Sequence, residues 1–513
     1  MNIPIDSIFT SSNVSGYAET HFKFQLPWSK LHSKWPEVFV DAPFQVLPSL
    51  KIPIWLVVKD AHLYPIVVHS VRVHAQHADG LICCQKIDLN MRVEQSFLFH
   101  ELDLNFSMDT PGKWKLMLTI EIINQNQKSM KFVNWNYPHL LPIPLEILRL
   151  SEKYNVPSGF YAGEHHCHSW YTSDPVEFGA SPQVLQRAAG CVGLDYTVIT
   201  DHSYNFYYDS THYMNALDPQ IKWAKFIEEL DGLNEVHPDL PRLIPGLEVS
   251  CGNEYGQNIH LLVMGLRNFV DGHGDGGRRW FNNKPDLQIS EVLALTKGCP
   301  AFAAHPKAQI GFLERLVFRR GFWTDRDLAI DGLSGTQFWN GQRGGSFSAG
   351  KEAWLQLLAT GVDQLPIAGN DAHGDLNINT YVKTPLFKLG CHRRHLFGQV
   401  RTLVQAKSCS EVDLKNAFIE KKSICLSDGP FLTIEMHKNF LNIIGLSSID
   451  FGVLELVVLF VKRLNIKVEL EIRYKIQTFA FDELWSFMPD IEYVRLECVT
   501  AKSCRAMTKA FFF

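Results

Sequence analysis

The sequence contains no Cys-x-x-Cys pair, although it has 11 cysteines among its 513 residues. Such spacings are typical of four-cysteine zinc sites and of redox motifs. The cysteines are odd in number and scattered from Cys83 to Cys504, and only Cys83 and Cys84 lie close together. This pattern argues against a disulfide framework and favours reduced thiols.

An excess of positive charge is also missing. The chain has 49 Lys and Arg against 54 Asp and Glu, which gives a formal net charge of −5. Non-specific binding of nucleic acids depends on a broad basic surface. We therefore expect no long nucleic acid among the partners, and any nucleotide contact would be local.

Long hydrophobic runs are absent as well. The first 16 residues carry no Lys or Arg and no sustained apolar run, unlike a secretory signal. The most apolar stretch, Phe451 to Val461, is interrupted by Glu455 and is too short to span a bilayer. We expect a cytoplasmic protein with no membrane partner.

The chain is long enough, and at 46% apolar residues hydrophobic enough, for several domains. We predict boundaries at 1–155, 156–395 and 396–513. The first region has short alternating runs typical of strands, and we expect a β-sandwich-like domain. The predicted strands there include Ile52 to Val58, Ile66 to His74 and Trp114 to Ile123.

Helical stretches and short apolar strands alternate in the second region. Pro182 to Leu194 has helical spacing after a possible Ser181 cap, and the strand-like Tyr196 to Thr200 follows at once. Repeated units of this kind predict an α/β barrel or a layered sheet. The third region is predicted to be β-rich, with strands at Phe431 to Met436, Leu454 to Val461, Ile466 to Tyr474 and Ile491 to Val499.

The middle region places histidines and carboxylates near the ends of its predicted strands. In His166-x-His168 both side chains share one face of an extended strand, so both imidazoles can reach one ion. A single histidine in such a place is more often structural. Six histidines and three carboxylates together are hard to explain as structural residues and predict a metal site; they are His166, His168, Asp174, His202, Glu248, His260, His305, Asp371 and His373.

The order HxH…SD, ITDH, GLE, a strand histidine, HP and DxH, between Gly163 and Gly374, resembles the polymerase-and-histidinol-phosphatase (PHP) superfamily of metal-dependent phosphoesterases. Within it, the chain looks like the carbaryl-hydrolase-like (CehA/McbA) branch. The segments that carry this second likeness are YAGEHHCHS and LKNAFIEKKSICLSDGPFLTIEM.

The resemblance implies an α/β fold, namely a distorted (β/α)7 barrel, which would stand between an N-terminal β-sandwich-like domain and a C-terminal β-rich unit. It also implies two or three divalent ions, Zn, Mn or Fe. One ion would be held by His166, His168, Glu248 and Asp371, a second by Glu248, His260 and His305, and a third by Asp174, His202 and His373. Glu248, Asp371 and His373 are the residues we expect to carry catalysis.

Three positions depart from the family pattern. Glu164 stands where Asp commonly precedes the HxH, and Asn370 stands where Ser commonly precedes the DxH. Neither change removes a ligand. Pro175 replaces the usual Gly after Ser-Asp, which puts the third ion, through Asp174, most in doubt.

The expected reaction is hydrolysis of a small phosphorylated or nucleotide substrate by a metal-bridging hydroxide. Lys307 and Arg343 are candidate phosphate clamps, and solvated loop cations are an equally good interpretation of them. The run GHGDGG, from Gly272 to Gly277, lacks the Lys-Ser/Thr of a phosphate loop, so we interpret it as a flexible surface loop or lid.

Two alternatives remain open at this point. The same ions could activate water for attack on a carbamate, ester or amide carbon, and the ligands do not separate this from phosphoester cleavage. The second alternative is a binding protein with a vestigial barrel, which the complete ligand set disfavours. The sequence does not reveal the oligomeric state.

Overall fold

The computed structural model describes residues 14–15, 34–138, 140–173, 178–209, 215–276, 283–311, 315–316, 318–383, 388–438, 440–464, 466, 468–486 and 490–513. Strands account for 43% of these described residues and helices for 16%. Within those ranges there are six α-helices, none of them long and apolar enough to cross a membrane. All 11 cysteines are free thiols, as the sequence predicted.

The first part of the described chain forms two β-sheets and one further short strand. Its strands are β1 (Val14–Ser15), β2 (Glu37–Asp41), β3 (Gln45–Val46), β4 (Trp55–Lys59), β5 (Ile66–His77), β6 (Ile82–Val93), β7 (Phe97–Glu101), β8 (Gly112–Asn124), β9 (Ser129–Val133) and β10 (Leu145–Arg149). One sheet has the order β3-β10-β8-β5-β6, with β9 on β8, and the other the order β2-β4-β7. Every second residue of β8 from Trp114 to Ile122 is buried, which confirms the period-2 pattern predicted there.

The second part contains strands and most of the helices. The strands are β11 (Phe160–His168), β12 (Tyr196–Ile199), β13 (Arg242–Gly252), β14 (Asn258–Met264), β15 (Ala301–Ala304), β16 (Gly335–Asn340), β17 (Leu365–Gly369), β18 (Ala372–His373), β19 (Asn379–Lys383) and β20 (Lys388–His392). The helices are α1 (Pro182–Val192), α2 (Pro219–Val236), α3 (Ile289–Leu295), α4 (Asp325–Leu328) and α5 (Gly345–Ala359), with a 3-10 helix at Ser203–Tyr207.

Helix α1 begins and ends where local chemistry requires. The Ser181 hydroxyl accepts a hydrogen bond from the N–H of Val184 at 3.2 Å, which satisfies one donor of the first turn. Gly193 ends the helix with a φ of +77°, in the left-handed region that glycine adopts without strain. The helix predicted from Pro182 is confirmed, and it ends at Val192 rather than at Leu194.

The last part is again rich in strands. It contains α6 (Glu411–Ile419) and the strands β21 (Arg401–Gln405), β22 (Ile424–Ser427), β23 (Phe431–Met436), β24 (Phe440–Leu446), β25 (Leu454–Arg463), β26 (Leu470–Thr478), β27 (Ala480–Ser486), β28 (Ile491–Thr500), β29 (Arg505–Thr508) and β30 (Phe511–Phe512). The four strands predicted in this region overlap β23, β25, β26 and β28.

One large sheet joins the second and last parts. Its order is β17-β16-β15-β14-β13-β12-β11-β21-β22-β29-β28-β25-β26, with β18 on β11 and β30 on β28. Strands β11, β12 and β13 are parallel neighbours, as are β15, β16 and β17. Parallel neighbours end at the same edge, so residues far apart in sequence meet there.

The expectation of an α/β fold built on a distorted (β/α)7 barrel is wrong. In such a barrel all strands are parallel and each is followed by a helix. Here β13 and β14 are antiparallel and are connected by residues 253–257, β14 is antiparallel to β15, and β11 is antiparallel to β21. The sheet therefore continues into the C-terminal strands, and the molecule is mainly β. The alternation of helices and strands in the sequence does not determine which strands pair.

Candidate metal centre

The side chains of the two β11 histidines, His166 and His168, lie on the same face of the strand. His166 and His168 are fully buried, and their Nε2 atoms lie 3.3 Å apart. Cys167, between them, turns its Sγ to the carbonyl of Val198 at 3.6 Å, and burial raises its pKa well above the ordinary value. The predicted two-residue periodicity therefore brings both imidazoles together and leaves the thiol out.

Glu248, on β13, is the carboxylate between the histidines. It is fully buried, and its two oxygens face different rings. Around Oε2 lie Nδ1 of His202 at 2.9 Å, Nε2 of His166 at 3.1 Å and Nε2 of His168 at 3.3 Å. Around Oε1 lie Nδ1 of His260 at 2.5 Å and Nε2 of His305 at 3.3 Å. Imidazole nitrogens therefore surround both oxygens of this one carboxylate.

Asp371 adds a second carboxylate beside the β11 histidines. Its Oδ1 lies 3.2 Å from Nε2 of both His166 and His168. The residue has a φ of +53°, which is uncommon outside glycine, and its N–H donates to the carbonyl of His166 at 2.6 Å. The backbone bond therefore holds a strained residue so that its side chain faces the cluster.

Three overlapping groups of side chains are close enough to hold a metal ion. Within each group the ligand atoms lie within 4.8 Å of one another; the groups are His166, His168, Glu248 and Asp371; His202, Glu248 and His260; and His168, His202 and His373. Oε2 of Glu248 is a buried oxygen without a hydrogen-bonding partner of suitable geometry. Imidazoles and carboxylates are common metal ligands, so these buried groups could hold a metal ion.

Electrostatic attraction between the buried histidines and carboxylates shifts the pKa values of both. Burial alone would lower the pKa of His166, yet Asp371 and Glu248 raise it to about 9. The pKa of His168 and that of His260 also rise to about 9, against the effect of burial, because of carboxylates beside them. Burial lowers the pKa of His202 to about 4. Burial would raise the pKa values of Glu248 and Asp371, but the neighbouring histidines hold both well below the ordinary range.

Side chains behind the cluster fix the orientation of the rings. The amide oxygen of Gln337 lies 3.0 Å from Nδ1 of His166 and accepts from the backbone N–H of His305 at 3.2 Å. The Thr172 hydroxyl lies 3.3 Å from Nδ1 of His168 and accepts from the N–H of His202 at 3.2 Å. Partners on the outer nitrogens determine which nitrogen of each ring faces an ion.

Besides Gln337 and Thr172, two charged residues at the site escaped the sequence interpretation. Asp275 lies with Oδ2 at 3.0 Å from Nε2 of His260, and Arg320 contacts both side chains. Asp275 is buried, so the prediction of a flexible surface loop from Gly272 to Gly277 is wrong at this residue. Gly277 lies outside the described residues. The one sequence feature that could have indicated Asp275 is its place as the carboxylate in GHGDGG, but the glycines around it led to the prediction of a loop.

The other predicted site residues have varied positions. Asp174 lies outside the described residues. Lys307 donates to the carbonyl of Trp323 at 3.4 Å, and Arg343 donates to the carbonyl of Ser503 at 2.8 Å. The hydrogen bonds found for these two cations thus run to the surrounding backbone. His305 and His373 both lie in the cluster; the ring of His373 stacks on that of His168 at 4.1 Å.

No protein-family model matches the chain, and a search of curated proteins found no match. Among solved structures it is similar to a β-D-mannosidase from Dictyoglomus thermophilum, with 10% identity over 93% of this chain and 66% of that one, at a TM-score of 0.24. A calcium-binding mutant of Bacteroides uniformis β-glucuronidase 2 has 10% identity over 93% of this chain and 60% of its own, at a TM-score of 0.18. The chain thus spans less than two thirds of the length of either protein, and likenesses this weak carry no argument.

Proposed function

We propose that this chain is a metal-dependent hydrolase of the PHP kind that cleaves a phosphoester bond in a small phosphorylated or nucleotide substrate. The observation that carries the proposal is Glu248, whose Oε2 faces His166, His168 and His202 while its Oε1 faces His260 and His305. A purely structural carboxylate accepts hydrogen bonds at about four lone-pair sites, fewer than the imidazoles around Glu248. Five imidazoles around one carboxylate fit a bridged pair of cations better.

The ion positions would share some of their side chains, because the three groups overlap. His166, His168, Asp371 and Oε2 of Glu248 would hold the first ion. Oε1 of Glu248 and His260 would hold the second, with His305 beside them. His202 is near enough to His168 and His373 to contribute to a third. Ions held there would supply the positive charge that lowers the pKa of a water molecule and stabilises charge developing on the substrate oxygens.

The protein's own part in the reaction is to fix these ligands and to keep bulk water away. His166, His168, Glu248 and His202 are all buried. Gln337 and Thr172 hold the rings in place from behind, so little reorganisation is needed when a substrate arrives. These ligands would suit ions that activate water for attack either at phosphorus or at a carbonyl carbon. Substrate assays must therefore separate phosphoester cleavage from carbamate, ester or amide cleavage.

The test combines metal analysis with a substrate panel. Purified protein is expected to contain two or three equivalents of Zn, Mn or Fe by elemental analysis. Phosphate monoesters and diesters should be turned over, activity should be lost on chelation, and Mn²⁺ or Zn²⁺ should restore it. Turnover that survives chelation contradicts the proposal. Turnover of carbamates or carboxyl esters alone would keep the metallohydrolase and overturn the phosphoesterase. Failure to bind metal even after reconstitution would favour a non-catalytic binding protein.

A further inference from the structure

Asp275 is a buried carboxylate beside the candidate second ion position. It follows β14 in the chain and returns to contact that strand: its Oδ2 lies 3.0 Å from Nε2 of His260. Its side chain is only 5% exposed. It does not belong to the three groups whose ligand atoms converge, because it lies on the side of the ring away from Glu248.

The imidazole of His260 therefore has a carboxylate at each nitrogen. Nδ1 lies 2.5 Å from Oε1 of Glu248, and Nε2 lies 3.0 Å from Oδ2 of Asp275. A neutral imidazole has one N–H and one lone pair. If Nε2–H donates to Asp275, the lone pair is on Nδ1 and is directed to Glu248, where an ion would be held.

Asp275 is itself held from two sides. The hydroxyl of Ser250 donates to Oδ1, and a guanidinium nitrogen of Arg320 donates to Oδ2. Ser250 is the ladder partner of His260 across β13 and β14, so the same pair of strands positions the ring and the group that holds Asp275. Arg320 is joined to β14 by a backbone bridge to Asn258. These contacts fix the carboxylate relative to the ring.

We infer that Asp275 is a positioning residue that keeps the proton of His260 on Nε2, presents Nδ1 toward Glu248, and so sets the affinity of the second ion position. A carboxylate on the outer nitrogen of a metal-binding histidine orients the ring and makes the inner nitrogen a better ligand. The inference rests on the metal centre of the proposed function and deepens it. Ser250 acts through Asp275, whereas Arg320 contacts both Asp275 and the ring of His260. Neither is assigned a contact with substrate.

The experiment titrates Zn²⁺ or Mn²⁺ into metal-free wild-type protein and into Asp275→Asn by calorimetry. The asparagine keeps the shape and a weaker acceptor but removes the charge. The expected result is a loss of about 10- to 100-fold in affinity at one position, with the tighter class unchanged. Asp275→Ala should lose at least as much, and Asp275→Glu should recover part of the affinity. Asp327→Asn is the matched control, because Asp327 is a buried aspartate that caps α4 with Thr324.

A second readout follows the ring itself. Nitrogen-15 NMR of zinc-loaded, histidine-labelled protein should show His260 with a protonated Nε2 and a ligating Nδ1 in the wild type, and a mixed or reversed state in Asp275→Ala. Affinities equal to the wild type in all Asp275 variants would overturn the inference alone. An equal loss at both positions would overturn it too, since the effect would then be general damage to the fold. A wild-type protein that binds no ion would instead overturn the proposed function.

Discussion

The backbone N–H of Asn370 donates to Oε1 of the buried Glu164 at 2.9 Å, and the side-chain amide of Asn370 donates to Oε2 of the same carboxylate. Glu164 also accepts from the N–H of His166 at 3.0 Å and from that of Gly398 at 3.1 Å. One carboxylate thus ties the strand that carries His166 to the residue before Asp371. Glu164 and Asn370 are two of the three positions at which the sequence departs from the pattern that it resembles, and they are hydrogen-bonded to each other.

Replacement of Glu164 by Ala should destabilise the metal-free protein by about 3–5 kcal/mol. It leaves three buried backbone N–H groups without an acceptor, and each such group costs about 1–3 kcal/mol, with part of the loss recovered by relaxation. Urea unfolding checks the value. Glu420→Ala, at an exposed residue paired with Lys422, is the control and should change stability by less than about 0.5 kcal/mol. Equal effects of the two variants would contradict the role given to Glu164.

Glu248→Gln should reduce the bound metal from two or three equivalents to one at most. Glutamine keeps the shape but removes the negative charge that both ion positions share, so the bridge is lost. Turnover of the proposed substrate should fall by about 100-fold or more. Elemental analysis and initial rates measure the two effects. Glu229→Gln is the matched control: Glu229 accepts from the Tyr171 hydroxyl at 2.9 Å and belongs to none of the candidate metal groups. A metal content unchanged in Glu248→Gln would remove the main support for the centre.

Lys222 is a buried cation that joins the loops around the site. Its ammonium donates to the carbonyls of Asn205 at 2.8 Å, Tyr208 at 3.0 Å and Tyr171 at 3.1 Å, and burial lowers its pKa to about 8. Lys222→Met removes three donors from buried carbonyls and should cost about 2–4 kcal/mol of unfolding free energy. Lys225→Met, on the exposed face of the same helix, is the control in the same denaturation experiment. A loss below about 1 kcal/mol in Lys222→Met would contradict the prediction.

Local sequence patterns correctly predicted those structural features that depend only on residues close together in the chain. Alternation predicted β8, the Ser181 cap predicted the start of α1, and the i, i+2 spacing placed His166 and His168 on one face. These features follow from backbone geometry over a few residues, and the sequence therefore contains them. The order of the motifs along the chain added Glu248 and Asp371 to the candidate metal ligands.

Strand pairings and side-chain contacts between residues distant in the chain could mostly not be predicted from such local patterns. The antiparallel pairing of β11 with β21 joins residues far apart in the chain, and no local pattern indicates it. The antiparallel pairing of β13 with β14 did have a local sign that the sequence interpretation missed, because the five residues 253–257 between them are too few for a helical crossover. Asp275 and Arg320 reach His260 through tertiary contacts alone.

Metal binding should release protons at neutral pH. In the metal-free protein the pKa values of His166, His168 and His260 are about 9, above the ordinary 6.5, so all three rings are protonated at pH 7. An ion needs a lone pair on each ligating nitrogen, and these protons must leave. His202, with a pKa of about 4, is already neutral and contributes none. We expect the apparent affinity to rise with pH up to about 9 and to level off above it.

The stability of the metal-free protein should change in the opposite direction. Because the three folded pKa values are raised, their contribution to stability is complete below pH 6.5 and is lost as the pH rises through about 9. Calorimetry of Zn²⁺ or Mn²⁺ binding in two buffers of different ionisation enthalpy counts the released protons, with up to three expected near pH 7. His168→Gln should release about one fewer, whereas His165→Gln should not change the count, since burial lowers the pKa of His165 to about 3. Binding without proton release, or affinity that falls between pH 6.5 and 9, would contradict the assignment of these histidines as ligands.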